Sequence, residues 1–576
     1  MSRRIRRRAT PPGAALDAQL HPVLDRVYRT RGVVQASELD MSLAGLAPYR
    51  LLAGIDACVD LLQAALQVQQ RVLVVGDFDA DGATATALAL LGLRAMGFAH
   101  VDYLVPNRFE FGYGLTPEIV AVARAREPQL LITVDNGISS IDGVAAARAA
   151  GIDVLITDHH LPARRLPDAN AVVNPNQPGC GFPSKSLAGV GVVFYVLAAL
   201  RARLRADGSF ERLGVPVPNV AHWLDLVALG TVADVVALDR NNRILVEQGL
   251  RRIRAGRTRP GVAALLRAGN RDPARCVASD LGFAAAPRLN AAGRLTDMSL
   301  GIECLLAADA AVCARMAGEL DALNRERREI ESDMQADALA WLETLRTDAA
   351  DLPYGLCLFE PHWHQGVVGI VAARVRERVH RPVIAFAPEE GGRLKGSARS
   401  IPGVHVRDIL DAVAATHPGL VLKFGGHAMA AGLSIEHAAL ERFRDAFDVA
   451  LRRVLAHEDL QDVLYTDGAL APQQLELGLA RTLRAAGPWG QAFPEPVFDG
   501  EFEVLSRRIV GERHLKLRLR AAPDASPLDA IAFNQTDDGW PAGTPRIHAA
   551  YRLDVNEWQA RESAQLVVEW MEVVEG

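Results

Sequence analysis

Short apolar runs rich in β-branched residues mark the first third of the chain, at residues 72–75, 101–105, 130–134 and 154–157. Stretches with helical periodicity separate these runs, which predicts parallel strands joined by helices. Three of the runs are followed by acidic or imidazole side chains. Because ligands bind at the carboxyl ends of the strands in such sheets, the pattern predicts a doubly wound α/β domain with a polar site along one edge.

The hydrophobic pattern changes twice further along the chain. Between Cys313 and Leu345, apolar residues recur at helical spacing, which predicts a long amphipathic helix connecting two lobes. A second α/β unit follows, with strands expected around 355–359 and 382–386. After a polar bridge at 452–463, short alternating strands predict a small all-β module of barrel size.

These changes of pattern predict the order of the domains. We expect a basic N-terminal arm and leading segment at 1–45, a catalytic α/β domain at 46–255, a helical region with the long connector helix at 256–348, a second α/β domain at 349–452 and a barrel at 453–576. Arginines crowd residues 3–8, which predicts a disordered arm that either contacts phosphates or is simply solvated.

Composition excludes several classes of protein. The chain is 49% hydrophobic and 23% charged, as soluble globular proteins are, and no apolar run is long enough to span a bilayer. Its six cysteines form no CxxC pair, which argues against a zinc finger or a disulfide framework and favours the reducing cytoplasm. The net charge of −6 argues against a wholly basic nucleic-acid coat but leaves room for a local basic groove.

The polar residues expected at the sheet edge share one kind of chemistry. They are Asp77, Asp79, Asp81, Asp135, Asp158, His159, His160 and Asp234. Asp234 is included because it lies in an almost wholly apolar stretch, where an unpaired carboxylate would be costly. Carboxylates and imidazoles without thiolates suit Mn²⁺ or Mg²⁺, and so many acids favour a two-metal site that acts on phosphate. Each residue alone could instead be a helix cap, a turn residue or a surface histidine.

Short motifs in these segments resemble those of a known superfamily. Residues 77–82 (DFDADG), 134–137 (VDNG), 158–160 (DHH) and 232–234 (VAD) look like the four motifs of the DHH phosphoesterases. Further motifs are similar to the RecJ branch, a family of single-stranded-DNA-specific exonucleases, at residues 287–294, 363–369, 396–400, 425–432, 514–517 and 556–558. The resemblance spans roughly residues 45–576 and implies an α/β fold of two lobes. These would be a parallel-sheet DHH domain and a smaller DHHA1 domain joined by a long helix, followed by an OB-type β-barrel.

The resemblance also implies roles for individual residues. Two divalent ions, preferably Mn²⁺ with Mg²⁺ as a substitute, would be bound by Asp77, Asp79, Asp135, His159 and Asp234. Catalytic roles fall to His160, Asp81 and His427, with Asp81 either a nearby acid or a residue behind the ligands. The residues implied to bind substrate are Arg108, Tyr113, Arg288, Arg294, Ser397, Arg399, Gly425, Gly426 and His427. Of these, Arg108, Ser397 and Arg399 would hold a terminal 5′ phosphate and so restrict attack to strand ends.

We therefore expect a cytoplasmic, metal-dependent exonuclease that degrades single-stranded DNA in the 5′–3′ direction to 5′-mononucleotides. The resemblance implies a role in DNA recombination and repair beside a helicase and a single-strand-binding protein, and we expect a monomer without membrane contact. One alternative is a DHH phosphodiesterase acting on short oligonucleotides or signalling dinucleotides, but such relatives carry a histidine where this chain has Leu73. Another is a catalytically silent scaffold that binds single-stranded DNA, against which the complete set of motif acids argues.

Overall fold

The computed structural model describes residues 3–106, 114–163, 165–344, 352–426, 428–511, 513–536, 540, 546–558 and 561–574. Its helices are α1 (Pro22–Arg29), α2 (Ile55–Gln67), α3 (Ala80–Ala95), α4 (Pro117–Arg124), α5 (Ile141–Ala149), α6 (Gly189–Ala206), α7 (Ser209–Leu213), α8 (Leu224–Ala233), α9 (Arg240–Arg254), α10 (Pro260–Ala268), α11 (Ala278–Asp280), α12 (Ala286–Leu295), α13 (Ser299–Leu306), α14 (Ala310–Thr344), α15 (Val368–Val379), α16 (Val406–Thr416), α17 (Leu440–Arg452) and α18 (Leu477–Ala485). Its strands are β1 (Arg4–Arg7), β2 (Val72–Gly76), β3 (Val101–Leu104), β4 (Leu130–Val134), β5 (Asp153–Thr157), β6 (Ala171–Val173), β7 (Leu356–Phe359), β8 (Val383–Glu389), β9 (Arg393–Arg399), β10 (Lys423–Gly426), β11 (Ala430–Glu436), β12 (Val463–Thr466), β13 (Phe498–Val510), β14 (His514–Arg520), β15 (Leu528–Ala532), β16 (Arg546–Trp558) and β17 (Arg561–Val574). Among these residues, no helix combines the length and hydropathy needed to cross a lipid bilayer.

The predicted parallel sheet is present, with the strand order β3-β2-β4-β5-β6 and every neighbouring pair parallel. Its central strands are buried on both faces. Val72 and Val74 belong to one hydrophobic core, whereas Leu73 and Val75 belong to another on the opposite face. The continuous apolar runs follow from this burial, because neither face of such strands meets water.

The chain divides into two compact units, and the division falls inside α14. One unit contains Arg325–Thr466 together with β1, and the other contains Arg8–Asn324 together with the part that begins at Asp467. The OB-type barrel therefore shares a unit with the parallel sheet. The long helix predicted between Cys313 and Leu345 is confirmed as α14.

The smaller unit is built on a sheet with the order β10-β11-β9-β8-β7, in which β7 and β8 are parallel and the other pairs antiparallel. Val383 and Ala385 of β8 share a core with Met334 of α14 and Val371 of α15. The alternate residues of β8 pack with α16 and α17 on the other face. This unit is the predicted second α/β domain.

The C-terminal strands form a closed barrel in the order β13-β14-β15-β17-β16. β14 alternates between buried leucines and more exposed basic side chains. Two of these basic residues have acidic neighbours: Nζ of Lys516 lies 3.6 Å from Asp529, and Arg520 donates to Glu503 at 2.7 and 2.9 Å. Part of the positive charge on this strand is thus neutralised within the barrel.

The basic N-terminal segment is ordered, so the prediction of a disordered arm is wrong. β1 pairs in parallel with β12, with Arg4 opposite Val463 and Arg7 opposite Thr466. Only one apolar residue, Ile5, lies in β1. The local pattern could not reveal this strand, because what orders it is pairing with β12, a segment far away in the sequence.

A buried ion pair fastens the leading segment to the stretch before the barrel. Arg31 donates to both carboxylate oxygens of Asp467, at 2.8 and 2.9 Å, and the two side chains are 1% and 0% exposed. The backbone N–H of Val497 also donates to Asp467, at 3.1 Å. Nearby, the Tyr28 hydroxyl donates to the backbone oxygen of Ala486 at 2.7 Å. Residues that follow the N-terminal strand therefore belong to the scaffold of the larger unit.

Candidate metal centre

The loop between β2 and α3 carries the first acidic residues of the site. Asp79 is the N-cap of α3, and its Oδ1 accepts a hydrogen bond from the backbone N–H of Gly82 at 3.0 Å. Glycine is needed at position 82 because a Cβ there would lie 2.5 Å from the backbone oxygen of Asp77. The ligand atoms of Asp77 and Asp79 lie within 4.8 Å of each other and of Asp135.

Asp81 has a different environment from its two acidic neighbours. It is 1% exposed, and its carboxylate accepts hydrogen bonds from the backbone N–H groups of Gly189 at 2.7 Å and Val190 at 2.9 Å. Burial, together with the charge of Asp79, raises the pKa of Asp81 to about 7. Asp81 thus fastens the acidic loop to the start of α6. Its predicted role, as a nearby acid or as a residue behind the ligands, stays a prediction.

Asp135 follows β4 directly and adopts a left-handed backbone conformation, with φ 62°. Aspartate visits this region more readily than most residues. Gly189 opens α6 against this side chain, since a Cβ on Gly189 would lie 2.6 Å from Oδ1 of Asp135. Nε2 of His159 lies 3.1 Å from Oδ1 of Asp135 and 3.4 Å from Oδ2 of Asp234. The segments that follow β4, β5 and α8 therefore meet, as the sequence predicted.

Asp158 orients the two histidines that follow it. Its Oδ1 accepts the backbone N–H groups of His159 and His160, at 2.7 and 3.1 Å, and lies 2.8 Å from Nδ1 of His160. Its Oδ2 accepts the backbone N–H of Ile138 at 2.8 Å. Burial alone would lower the pKa of His160, but the hydrogen bond and charge of Asp158 raise it to about 9. The carboxylate of Asp158 therefore favours the protonated form of the His160 ring.

Three overlapping groups of side chains could each hold a metal ion, because the ligand atoms within each group lie within 4.8 Å of one another. They are Asp77, Asp79 and Asp135; Asp81, His159 and Asp234; and Asp135, His159 and His160. Burial, and then the charges of Asp81 and Asp79, raise the pKa of Asp135 and the pKa of Asp234 well above the ordinary value. A divalent cation would offset this repulsion, and a set of oxygen and imidazole donors fits Mn²⁺ or Mg²⁺.

Several asparagines that the sequence analysis did not single out hold this centre in place. Nδ2 of Asn176 donates to the backbone oxygen of His159 at 2.6 Å, and Nδ2 of Asn174 donates to that of His160 at 2.9 Å. Asn136 donates to backbone oxygens at the ends of β2 and β4, at 3.1 and 2.9 Å. Their position in the sequence could have indicated this role, because these asparagines follow β4 and β6 and so lie at the same sheet edge as the acids.

In the smaller unit, Ser397, Gly432 and Gly425 lie opposite one another across three neighbouring strands. Arg399 lies on the same face, and its Nη1 donates to Oγ of Ser397 at 3.1 Å. A Cβ on Gly369, near the N-terminus of α15, would lie 2.8 Å from both Nη2 of Arg399 and Oγ of Ser397. A hydroxyl, a guanidinium and a helix N-terminus therefore converge here, an arrangement that favours an anion.

The other predicted substrate contacts have mixed outcomes. Arg288 is 6% exposed and donates to the backbone oxygens of Ala284 and Ala268, at 2.6 and 2.9 Å, and to Oδ1 of Asp321 at 2.6 Å. Its guanidinium is used inside the protein, which contradicts the predicted substrate contact. Arg294 is partly exposed near the end of α12, and Gly426 ends β10. Arg108, Tyr113 and His427 lie outside the described residues.

Family models match three segments in chain order. A model described as the DHH family, N-terminal domain, matches residues 71–231, the DHHA1 domain matches 353–453, and the RecJ OB domain matches 466–570. This order agrees with the predicted sequence of domains, whose exact boundaries stay a prediction.

Similar proteins cover nearly the whole chain. The single-stranded-DNA-specific exonuclease RecJ of Dickeya dadantii is 56% identical over 566 residues, with 98% of each chain covered. The protein of the same name from Escherichia coli is 53% identical, again with 98% of each chain covered. The crystal structure of RecJ in complex with Mn²⁺ from Thermus thermophilus is 31% identical, with a TM-score of 0.78 over 96% of this chain and 76% of that one.

Proposed function

Since the chain belongs to the RecJ family of single-stranded-DNA-specific exonucleases, we propose that it removes 5′-mononucleotides from the 5′ end of single-stranded DNA. The observation that carries the proposal is the convergence of Asp77, Asp79, Asp135, His159 and Asp234 at one edge of the parallel sheet. Crowded carboxylates are costly unless a cation lies among them, and divalent ions held in such a site can hydrolyse phosphate esters.

The proposed metal content is two divalent ions, preferably Mn²⁺ with Mg²⁺ as a substitute. When bound, they would neutralise charge on the phosphate and activate water. The protein residues supply orientation. Nδ1 of His160 lies 2.8 Å from Oδ1 of Asp158, so a protonated ring would donate to an oxygen of the scissile phosphate through Nε2. Asn174 and Asn176 hold the backbone of the histidine pair and so keep both rings in place.

The 5′ polarity is proposed to come from the surface around Ser397 and Arg399. A terminal phosphate there would meet the guanidinium, the hydroxyl and the start of α15. The predicted role of Arg108 in holding the phosphate stays a prediction. Gly425 and Gly426 of β10 would extend this surface, and the predicted role of His427 stays a prediction. Tyr113 would stack on a base and Arg294 would contact the backbone of the strand.

The proposed setting is DNA recombination and repair in the cytoplasm. A helicase would supply single strands and a single-strand-binding protein would cover them. A monomer suffices because the proposed metal ligands all come from one chain.

The proposal is tested with a long single strand labelled at its 5′ or its 3′ end, incubated with Mn²⁺, Mg²⁺ or a chelator. Early release of labelled mononucleotide from the 5′-labelled strand alone, abolished by the chelator, is the expected result. Hydrolysis of a dinucleotide without degradation of the strand would move the assignment to the phosphodiesterase alternative. Binding without hydrolysis of either substrate would support the remaining alternative, a catalytically silent scaffold that binds single-stranded DNA.

Replacing Gly369 with alanine tests the phosphate surface. The new Cβ displaces both Arg399 and Ser397. Because a charge-assisted hydrogen bond contributes about 1.5–3 kcal/mol, the preference for a 5′-phosphorylated over a 5′-hydroxyl strand should fall by about 10- to 100-fold. The measurement compares kcat/KM on the two strands.

The matched control is Gly318→Ala on the exposed side of α14, where a Cβ meets nothing within 4 Å. This variant should keep the preference and gain up to about 1 kcal/mol in stability from helix propensity. An unchanged preference in Gly369→Ala would contradict the assignment of the terminal phosphate to this surface.

A further inference from the structure

Helix α12 contacts the acidic loop from a distant part of the sequence. Oδ1 of Asn290 accepts a hydrogen bond from the backbone N–H of Ala80 at 2.8 Å. One turn later, Gly293 packs so closely that a Cβ there would lie 1.8 Å from the backbone oxygen of Phe78. Both contacts fall on the residues that separate Asp77, Asp79 and Asp81.

The hydrogen bond to Ala80 satisfies a group that the helix itself cannot satisfy. Ala80 is the first residue of α3, and the first N–H groups of a helix have no partner within the helix. The N-cap Asp79 already accepts from Gly82. Without Asn290, this N–H between Asp79 and Asp81 in the sequence would lose its partner, and the backbone of the acidic loop would lose a fixed point.

Helix α12 is itself firmly held. Arg288 links it to Asp321 of α14 and to the backbone oxygen of Ala268 in α10. The π-helical turn Leu281–Ala285 precedes α12, and a Cβ on Gly282 in that turn would lie 3.2 Å from Val232, close to Asp234 in sequence. The burial of Arg288 thus has a structural reason, since it fixes the helix that carries Asn290.

We infer that Asn290 is a positioning residue of the metal centre, which holds the acidic loop so that Asp77 and Asp79 present their oxygens to the ion. This inference rests on the proposed metal site. Asn290 touches neither metal nor substrate. It acts through the backbone of Ala80, and no local pattern could indicate this because the two residues lie 210 positions apart.

The test is a Mn²⁺ titration of the full-length protein, with free Mn²⁺ followed by its electron paramagnetic resonance signal. Outer groups that orient metal ligands are worth about 10- to 100-fold in metal affinity, and we expect Asn290→Ala to lose affinity in this range. Asn290→Asp keeps an oxygen acceptor for Ala80 and should recover most of the affinity. Asn290→Gln moves the acceptor by one methylene and should lose Mn²⁺ affinity to an intermediate extent. It is the second variant to measure if the alanine protein does not fold.

Asn170→Ala is the matched control. Oδ1 of Asn170 accepts the backbone N–H of Val154 at 2.9 Å, and its Nδ2 donates to Asp153 at 2.7 Å. This variant therefore loses a bond of the same kind, and one more, at the opposite end of the sheet. Both alanine variants should lose thermal stability without metal, but only Asn290→Ala should lose Mn²⁺ affinity. Equal affinity in Asn290→Ala and the unmodified protein, or an equal loss in Asn170→Ala, would overturn the inference. Absence of Mn²⁺ binding in the unmodified protein would instead overturn the proposed metal site.

Discussion

Replacing Asp135 with asparagine is expected to abolish nuclease activity and, at the same time, to stabilise the metal-free protein. Asp135 takes part in two of the three candidate ligand groups, so its loss disturbs the whole centre. If metal coordination contributes about 4 kcal/mol to the transition state, activity falls by about 1000-fold. Asparagine suits the test because it tolerates the left-handed backbone at this position.

The gain in stability has a separate cause. Burial and the charges of Asp81 and Asp79 oppose ionisation of Asp135, as its raised pKa shows. A neutral amide of the same shape removes one of these crowded charges, and we expect a gain of about 0.5–2 kcal/mol at neutral pH in the presence of a chelator. Added Mn²⁺ should raise the melting temperature of the unmodified protein and leave that of Asp135→Asn unchanged.

Asp153→Asn provides the control for both effects. Asp153 begins β5 at the end of the sheet remote from the metal centre, and it accepts a hydrogen bond from Asn170. Its replacement should change neither activity nor the response to Mn²⁺. Retention of full activity by Asp135→Asn, with a normal shift of melting temperature on adding Mn²⁺, would show that Asp135 binds no metal.

Replacing Arg31 with methionine is expected to cost about 3–5 kcal/mol of stability, because it leaves Asp467 as a buried charge without its principal partner. The side chain of Asp467 is 0% exposed, so water cannot take over the lost contacts. The methionine keeps most of the apolar stem, which separates the loss of the ion pair from a loss of packing. The free energy of unfolding is measured by urea denaturation of the larger unit within the full chain.

An exposed ion pair provides the control for Arg31→Met. Arg203 and Asp60 lie 2.6 Å apart, but their side chains are 38% and 64% exposed. Arg203→Met should therefore cost no more than about 1 kcal/mol. If Arg31→Met and Arg203→Met lose the same free energy of unfolding, burial does not make the Arg31–Asp467 pair more costly to break, and the prediction is wrong.

The parts of the fold that could be predicted from sequence are those whose signal is local. β2, β4 and β5 are contiguous apolar strands because both their faces are buried, and the acids that follow them mark the sheet edge. β6 is only 3 residues long, too short to stand out from a loop. β16 is interrupted by charged residues such as Arg552 and Glu557, which obscure its alternation.

In the candidate site too, the residues that could be predicted from sequence are those with a local signal. Candidate ligands such as Asp135 and Asp234 could be predicted, because a carboxylate beside an apolar run stands out without knowledge of any distant residue. Arg288 was assigned to substrate because it lies in a recognisable motif, but its partner Asp321 lies on another helix. A role that depends on such a tertiary contact cannot be recognised from the spacing of residues along the sequence.

The pairing of β1 with β12 has a consequence for the order in which the protein is made. Arg3 and Asp462, which form an ion pair beside these strands, are separated by 459 residues. At translation rates of about 5–20 residues per second, the first strand leaves the ribosome roughly 20 to 90 s before its partner exists. Tyr28 of α1 must wait in the same way for Ala486 and Trp489, which it contacts. The beginning of the chain is thus among the last parts to fold, and a nascent chain stalled before residue 463 would present it to chaperones.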